Sequence, residues 1–215
     1  MTCSLNQIDQ TSRKAARGAG LPWGLADDVG KSVRWLHTYD LSGVSMLVAL
    51  LDRYDHFGYK DLAAESLEGT WKARQGVLSP LLAGASLSDC IDRPGVDPIV
   101  TGIIAYPILA AGFIGNIAQI EDHAFKLTWP GVSLYCQRGG LRLDGTSHAI
   151  EIETAEFLCC QRADSERTCR SPRIGEVSIE PGVWNRLEQY AQRTYVEATD
   201  ASRLAGAGAG LNDND

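Results

Sequence analysis

Cysteine is scarce in this chain, at 6 of 215 residues, and the six are unevenly spaced. That number is too low for a scaffold held together by disulfides. The first residues, Met1-Thr2-Cys3-Ser4, have neither the basic nor the apolar region of a signal peptide. We therefore expect free thiols and a cytoplasmic protein.

An excess of positive charge is also lacking. Lysine and arginine number 20 against 27 aspartate and glutamate residues, which gives a net charge of −7 and an isoelectric point near 5.1. The densest basic stretch, formed by Arg167, Arg170 and Arg173, has Glu166 and Asp164 beside it. Because such a surface repels a polyphosphate backbone, we expect no nucleic-acid partner.

Long apolar runs are almost absent. The uncharged segment from Ile99 to Ile120 approaches the ~20 residues that a bilayer requires. Gly102, Pro107 and Asn116 dilute its hydrophobicity, and its flanks show no positive-inside bias. The segment is better explained as part of a globular core, so no membrane association is expected.

The common catalytic motifs are missing as well: there is no G-x-S-x-G, no H-E-x-x-H and no P-loop. The catalytic residues and any cofactor therefore stay unassigned.

Metal-ligating patterns are weak. Cys159 and Cys160 are adjacent, so on a strand they point to opposite faces, one into the core and one toward solvent. Asp52 and His56 lie four residues apart and could share a metal or a proton. A histidine that interacts with the helix dipole is the better explanation of that pair. We expect no metal site.

Helical signals dominate residues 4–56. Ser4 and Gln7 form a capping-box pattern that predicts a helix running to about Gly18. Pro22 is typical of the first turn of a second helix that ends near Tyr39. Short connections between helices favour their mutual packing.

Residues 57–123 show mixed signals, and residues 124–180 alternate with a period of two that indicates four to six mostly antiparallel strands. Ile150 and Ile152 are included in that alternation. A last helix is predicted over 181–196, followed by a Gly/Ala-rich tail over 197–215. The whole is one α+β domain over 1–215, an N-terminal helical bundle packed on a mostly antiparallel C-terminal sheet.

Several short motifs resemble DUF3726, a family of uncharacterised bacterial proteins. The similarity lies in Ser4–Ile8, Ala15–Gly20, Trp23–Ala26 and Val33–Leu36, and the ending Ser202–Leu211 resembles that family's C-terminus. The resemblance brackets nearly the whole chain. It implies a bacterial, cytoplasmic setting and supplies no activity.

Two groups of residues are candidates for ligand binding. The first is Arg17, Trp23, Asp27 and Arg34, because guanidinium, indole and carboxylate groups on two adjacent helices often line a cleft for a small anionic metabolite. Simple packing explains the same pattern, with Asp27 paired to Lys31 one turn away.

The second group lies in the tail. Gly206, Gly208 and Gly210 after Arg203 could form a nest of backbone N–H groups around an anion. A mobile terminus is the simpler interpretation, and a tail ordered across a subunit boundary is a further one.

Three functions remain open. The first is a small-molecule-binding or accessory protein of bacterial metabolism, with a cleft between the N-terminal helices and the sheet. The second is an enzyme acting on a small polar metabolite, with Arg17 or Arg203 binding substrate charge and Asp27 or His123 serving as acid or base. The third is a structural partner of another protein. A homo-oligomer is a reasonable expectation for a protein of this kind.

Overall fold

The computed structural model describes residues 1–91, 98–121, 123–164, 168–173 and 175–194. Within them the chain is α+β, with the N-terminal helices packed on a sheet, as predicted.

The first quarter of the chain is helical. After a short strand β1 (Thr2–Cys3) come α1 (Leu5–Gly18), α2 (Trp23–Thr38) and α3 (Gly43–Tyr54). The capping box is confirmed, because the Gln7 amide N–H donates to Ser4 Oγ and the Ser4 N–H donates to Gln7 Oε1. These bonds satisfy two backbone donors that the first turn of α1 leaves unpaired.

The middle of the chain contains both helices and strands. A 3₁₀ turn (Tyr59–Leu62) is followed by β2 (Thr70–Trp71), α4 (Pro80–Cys90), β3 (Ile99–Thr101), β4 (Ile104–Ala105) and α5 (Ile108–Ile120). The uncharged segment therefore folds as two short strands and the buried helix α5. Among the described residues, none of the helices combines the length and the apolarity that crossing a membrane requires.

The last part supplies most of the sheet. It contains β5 (Ala124–Trp129), β6 (Val132–Gln137), β7 (Gly140–Gly145), α6 (Ser147–Ile150), β8 (Thr154–Ala155), β9 (Cys159–Ala163), β10 (Val177–Ser178) and α7 (Pro181–Gln192). The main sheet has the order β2-β3-β9-β5-β6-β7. Only β2 and β3 pair in parallel, so this sheet is mostly antiparallel, as predicted.

Two details of the prediction are wrong. Ile150 lies in the short helix α6 rather than in a strand, because Thr146 Oγ1 accepts a hydrogen bond from the Ala149 N–H and starts a helical turn. The last helix ends at Gln192 rather than at 196, where Thr194 Oγ1 donates to the Ala191 carbonyl and tightens the end of the helix.

The register of the sheet defines its buried face. Leu127 lies opposite Leu134 on one side and Cys160 on the other, and all three side chains are fully buried. Cys159 is only half-buried, so the predicted division between one core cysteine and one more exposed cysteine is confirmed. Helix α5 packs on β5 and β6, and it therefore joins the helices to the sheet.

Helices α2 and α5 approach each other closely. A Cβ at Gly112 would collide with the Ser32 backbone, and one at Gly115 would collide with the indole of Trp35. The Ser32 hydroxyl donates to the Leu109 carbonyl at 3.1 Å. Because only glycine leaves room at these two positions, Gly112 and Gly115 allow α2 and α5 to lie this close together.

Helix α7 closes the bundle against α1 and α3. Tyr190 Oη donates to Asp52 at 2.8 Å, and the Arg193 guanidinium forms two hydrogen bonds with the Asp55 carboxylate. Asp52 also accepts from Arg186. The Asp52 carboxylate is therefore held by donors of α7, and the sharing of a metal or a proton with His56 stays an untested alternative.

Candidate functional site

The structure places Arg17 and Trp23 together on the exposed side of α1 and α2. The guanidinium carbons of Arg13 and Arg17 lie 5.6 Å and 5.4 Å from the Trp23 ring centroid, within the range of cation–π attraction. Arg17 also donates to the Leu21 carbonyl at 3.1 Å. Both cations are therefore engaged with the protein's own groups.

Asp27 lies beside this pair, with its Oδ1 2.7 Å from Arg13 Nε. The predicted pairing of Asp27 with Lys31 is wrong, since Lys31 Nζ lies 3.4 Å from Asp28. Asp27 prefers Arg13 because α1 and α2 pack closely enough for a side chain of α1 to reach it.

Arg34 lies apart from the other three. Its Nη1 is 3.7 Å from Asp9 Oδ2, a separation longer than a hydrogen bond. Burial between α1 and α2 raises the pKa of Asp9, whereas the nearby charges of Arg34, Lys31 and Arg13 lower it. Arg34 therefore keeps guanidinium N–H groups for other partners.

A cavity of about 280 Å³ opens between α2, α5 and the segment that precedes β10, and we call it the α2–α5 cavity. Of the four predicted residues on α1 and α2, only Arg34 lines it. Its lining residues are Lys31, Arg34, Trp35, Thr38, Tyr39, Asn116, Gln119 and Pro172.

Two aromatic side chains form the wall of this cavity on α2. Trp35 and Tyr39 are 5% and 2% exposed, and their ring centroids lie 4.8 Å apart. The indole Nε1 of Trp35 and the hydroxyl of Tyr39 are buried and have no hydrogen-bond partner among the described residues. Such groups are uncommon in folded proteins, and each costs about 1–3 kcal/mol.

Tyr39 stays protonated at physiological pH. Burial is the largest cause that raises its pKa, to about 12, and the neighbouring thiols Cys136 and Cys169 raise it further, while Arg170 opposes them. The phenol therefore presents an O–H donor throughout the physiological range.

Hydrogen bonds hold the remaining walls in place. The Arg173 N–H donates to the Thr38 carbonyl at 2.6 Å, and the Arg173 guanidinium donates to Asp40 at 2.9 Å, which positions Pro172. Gln119 accepts from the Gly139 N–H and donates to the Gln137 carbonyl, so its amide links α5 to the β6–β7 turn. The cavity is thus built from elements whose mutual positions are fixed.

The chemistry of the lining favours an anion. Two cationic side chains, Lys31 and Arg34, line the cavity together with Trp35 and Tyr39, whose Nε1 and Oη are buried donors without a partner among the described residues. The side-chain amide of Asn116 also lines the cavity and adds a further donor. Among the described residues, no carboxylate lines this cavity. A bound oxyanion would satisfy the unpaired donors and neutralise part of the positive charge.

Metal binding finds no support in the part of the chain that the structure describes, where no group of three or more His, Cys, Asp or Glu side chains is placed to hold an ion. Asp27 and His123, the predicted acid or base, do not line the α2–α5 cavity. Arg203, Gly206, Gly208 and Gly210 lie outside the described residues, so the predicted nest in the tail stays a prediction.

Sequence reasoning missed Tyr39 and the residues of α5. Trp35 and Tyr39 are spaced one helical turn apart, which is the ordinary pattern of a buried stripe. Only the three-dimensional contacts show that their polar atoms lack partners.

Comparison with known proteins supports the family resemblance. Residues 3–76 match the model of DUF3726, described as a protein of unknown function. This match confirms the similarity predicted from the N-terminal motifs, and it covers α1, α2, α3 and β2. The ending Ser202–Leu211 lies outside the matched range. The searches of curated proteins and of solved structures returned no significant match.

Proposed function

We propose that this chain is a cytoplasmic small-molecule-binding protein of bacterial metabolism whose ligand is a small anion held in the α2–α5 cavity. The observation that carries the proposal is the pair of buried, unpartnered donors, Trp35 Nε1 and Tyr39 Oη, that face no acceptor of the described chain.

Energetics favours a ligand at these donors. Leaving a buried N–H or O–H unpaired destabilises the empty protein by about 1–3 kcal/mol for each group. An acceptor bound from solution recovers that free energy, and a charged acceptor forms a stronger bond than a neutral one. A protein that keeps two such groups at one cavity gives up stability in the empty state, which is the pattern expected of a binding site.

The charges around the cavity support the same ligand class. Lys31 and Arg34 are paired with acids only at 3.4 Å and 3.7 Å, so an anion can draw on both cations. The volume of about 280 Å³ lies at the lower end of small-molecule pockets. A carboxylate on a compact body fits these limits.

The test compares two variants that each lose one tyrosine hydroxyl. In Tyr39→Phe the unpaired hydroxyl is lost, so we expect the free energy of unfolding of the empty protein to rise by about 1 kcal/mol. The same variant should bind an anion about tenfold more weakly, because one charge-assisted hydrogen bond is lost. Tyr190→Phe is the matched control, since its hydroxyl donates to Asp52 at 2.8 Å, and it should lose stability without losing affinity.

The measurements are urea unfolding for stability, and thermal shift and calorimetry with acetate, butanoate and inorganic phosphate for binding. Failure of every anion to stabilise the native protein would overturn the proposal, because a ligand of the native state must raise its stability. Equal affinity of wild type and Tyr39→Phe would overturn the role of the cavity. The proposed homo-oligomer is checked separately by light scattering of the purified protein.

A further inference from the structure

A second depression lies beside the α2–α5 cavity on the other side of α5. It has a volume of about 270 Å³ and runs between α4, α5 and α2. We call it the α4–α5 groove. Lys31 and Asn116 line both spaces, so the two are adjacent.

The floor of the groove is apolar. Phe113, Ile117 and Ile120 recur at one face of α5, and Ala85 of α4 lies opposite. Ile120 is 70% exposed, which is unusual for a large aliphatic side chain of the described part. A Cβ at Gly84 would lie 2.5 Å from the Phe113 ring, so α4 approaches α5 closely and forms a definite wall.

Charge distinguishes the two adjacent spaces. Asp28 and Asp89 lie at the groove, whereas Arg34 lies at the cavity and Lys31 lies between them. An anion bound in the groove would be repelled by the two carboxylates. The charges therefore orient a ligand with its anionic end in the cavity and its uncharged part in the groove.

From this geometry we infer that the ligand is an amphipathic carboxylate, with the carboxylate at Arg34, Trp35 and Tyr39 and an apolar chain or ring along Ile117 and Ile120. The inference rests on the proposed function, because it extends the same site. A carboxylate has two oxygens and could accept one hydrogen bond from each of the two unpaired donors, the indole N–H and the phenol O–H.

The experiment titrates the protein with unbranched alkanoates from acetate to octanoate. Each methylene that enters the groove should tighten binding by about fourfold until the groove is filled. Hexanol and hexylamine, which lack the anionic end, should bind far more weakly than hexanoate.

Variants separate the two ends of the site. Ile120→Ser removes exposed apolar surface from the groove, so it should reduce the affinity for octanoate severalfold and leave that for acetate unchanged. Ile103→Ser is the matched control, since Ile103 is also exposed and lies outside the groove. Tyr39→Phe should weaken all alkanoates by the same factor.

The outcomes are distinguishable. Two results would overturn the amphipathic ligand and leave the small-anion site standing. One is equal affinity for alkanoates of every length, and the other is an Ile120→Ser variant whose affinity still rises with chain length as it does in the wild type. Binding of phosphate without binding of any alkanoate would overturn the amphipathic carboxylate alone, whereas absence of binding by every alkanoate and by phosphate would overturn the proposed function itself. Hexanol that binds as tightly as hexanoate would overturn the assignment of the cavity to an anion.

Discussion

Replacement of His37 by glutamine should remove much of the acid sensitivity of the fold. His37 is 7% exposed, and its Nε2 accepts a hydrogen bond from the Val44 N–H at 3.1 Å, which caps the start of α3. Only the neutral ring can accept there, since protonation would place one N–H against another. Burial is the main cause that lowers the pKa of His37 to about 4, and the charge of Asp40 opposes it in part.

The sign follows from proton uptake. In the unfolded chain a histidine has its ordinary pKa of about 6.5, above that of the folded state. At pH 7.5 and above, the ring is almost fully neutral in both states, and the full stability is present. As the pH falls toward 4, the His37 ring binds a proton in the unfolded state but not in the native state, so the free energy of unfolding decreases. Between about pH 7.5 and pH 5 the loss amounts to about 2 kcal/mol.

The assay is urea unfolding of the wild type and of His37→Gln at both pH values. A glutamine side-chain oxygen can accept from the Val44 N–H but does not titrate, so the variant should lose about 2 kcal/mol less than the wild type on acidification. His56→Gln, at an exposed position, is the control and should behave as the wild type. Parallel pH dependences for wild type and His37→Gln would refute the assignment of acid sensitivity to this ring.

Two further predictions concern packing and buried hydroxyls. Gly115→Ala should destabilise the fold by about 3 kcal/mol, because its Cβ collides with the Trp35 indole, whereas Gly24→Ala, whose Cβ meets nothing, should be neutral or slightly stabilising in thermal unfolding. Ser12→Ala should leave stability unchanged or raise it by up to about 1 kcal/mol, since the Ser12 hydroxyl is buried without a partner among the described residues. Ser32→Ala should lower the free energy of unfolding by about 1 kcal/mol, because it loses the hydrogen bond to the Leu109 carbonyl. If urea unfolding shows that Ser12→Ala is the less stable of the two serine variants, this reasoning is contradicted.

Local signals were enough to predict α1, α2, α7 and the alternation of the strands after residue 124, whereas α4 and α5 lie in the stretch 57–123, where the signals are mixed. The Ser4–Gln7 capping box depends on residues three apart, and the alternation around Cys159 and Cys160 depends on adjacent positions. In both cases the physical cause lies within one turn or one strand, so the sequence displays it directly.

The candidate site could not be predicted in the same way. Arg34 was identified, but the cavity it lines is completed by Asn116 and Gln119 on α5, far along the chain. Whether Trp35 Nε1 and Tyr39 Oη find hydrogen-bond partners depends on all the residues that surround them in the fold, so no short sequence motif can show it. The Asp27 prediction was wrong for the same reason, since its partner Arg13 lies on another helix.

The contact between α1 and α7 determines when the N-terminal part can acquire its final structure. A Cβ at Gly18 would collide with the Tyr190 carbonyl, and β1 pairs with β10, so the first elements of this sequence are buried by nearly the last ones described. Without α7, the apolar face of α1 around Ile8 lacks one of the helices that it contacts in the folded protein, where α1 also packs on α2 and α3. Chains dominated by contacts between residues distant in sequence fold slowly. The helices matched by the family model therefore stay partly exposed until α7, which lies outside the match, packs against them.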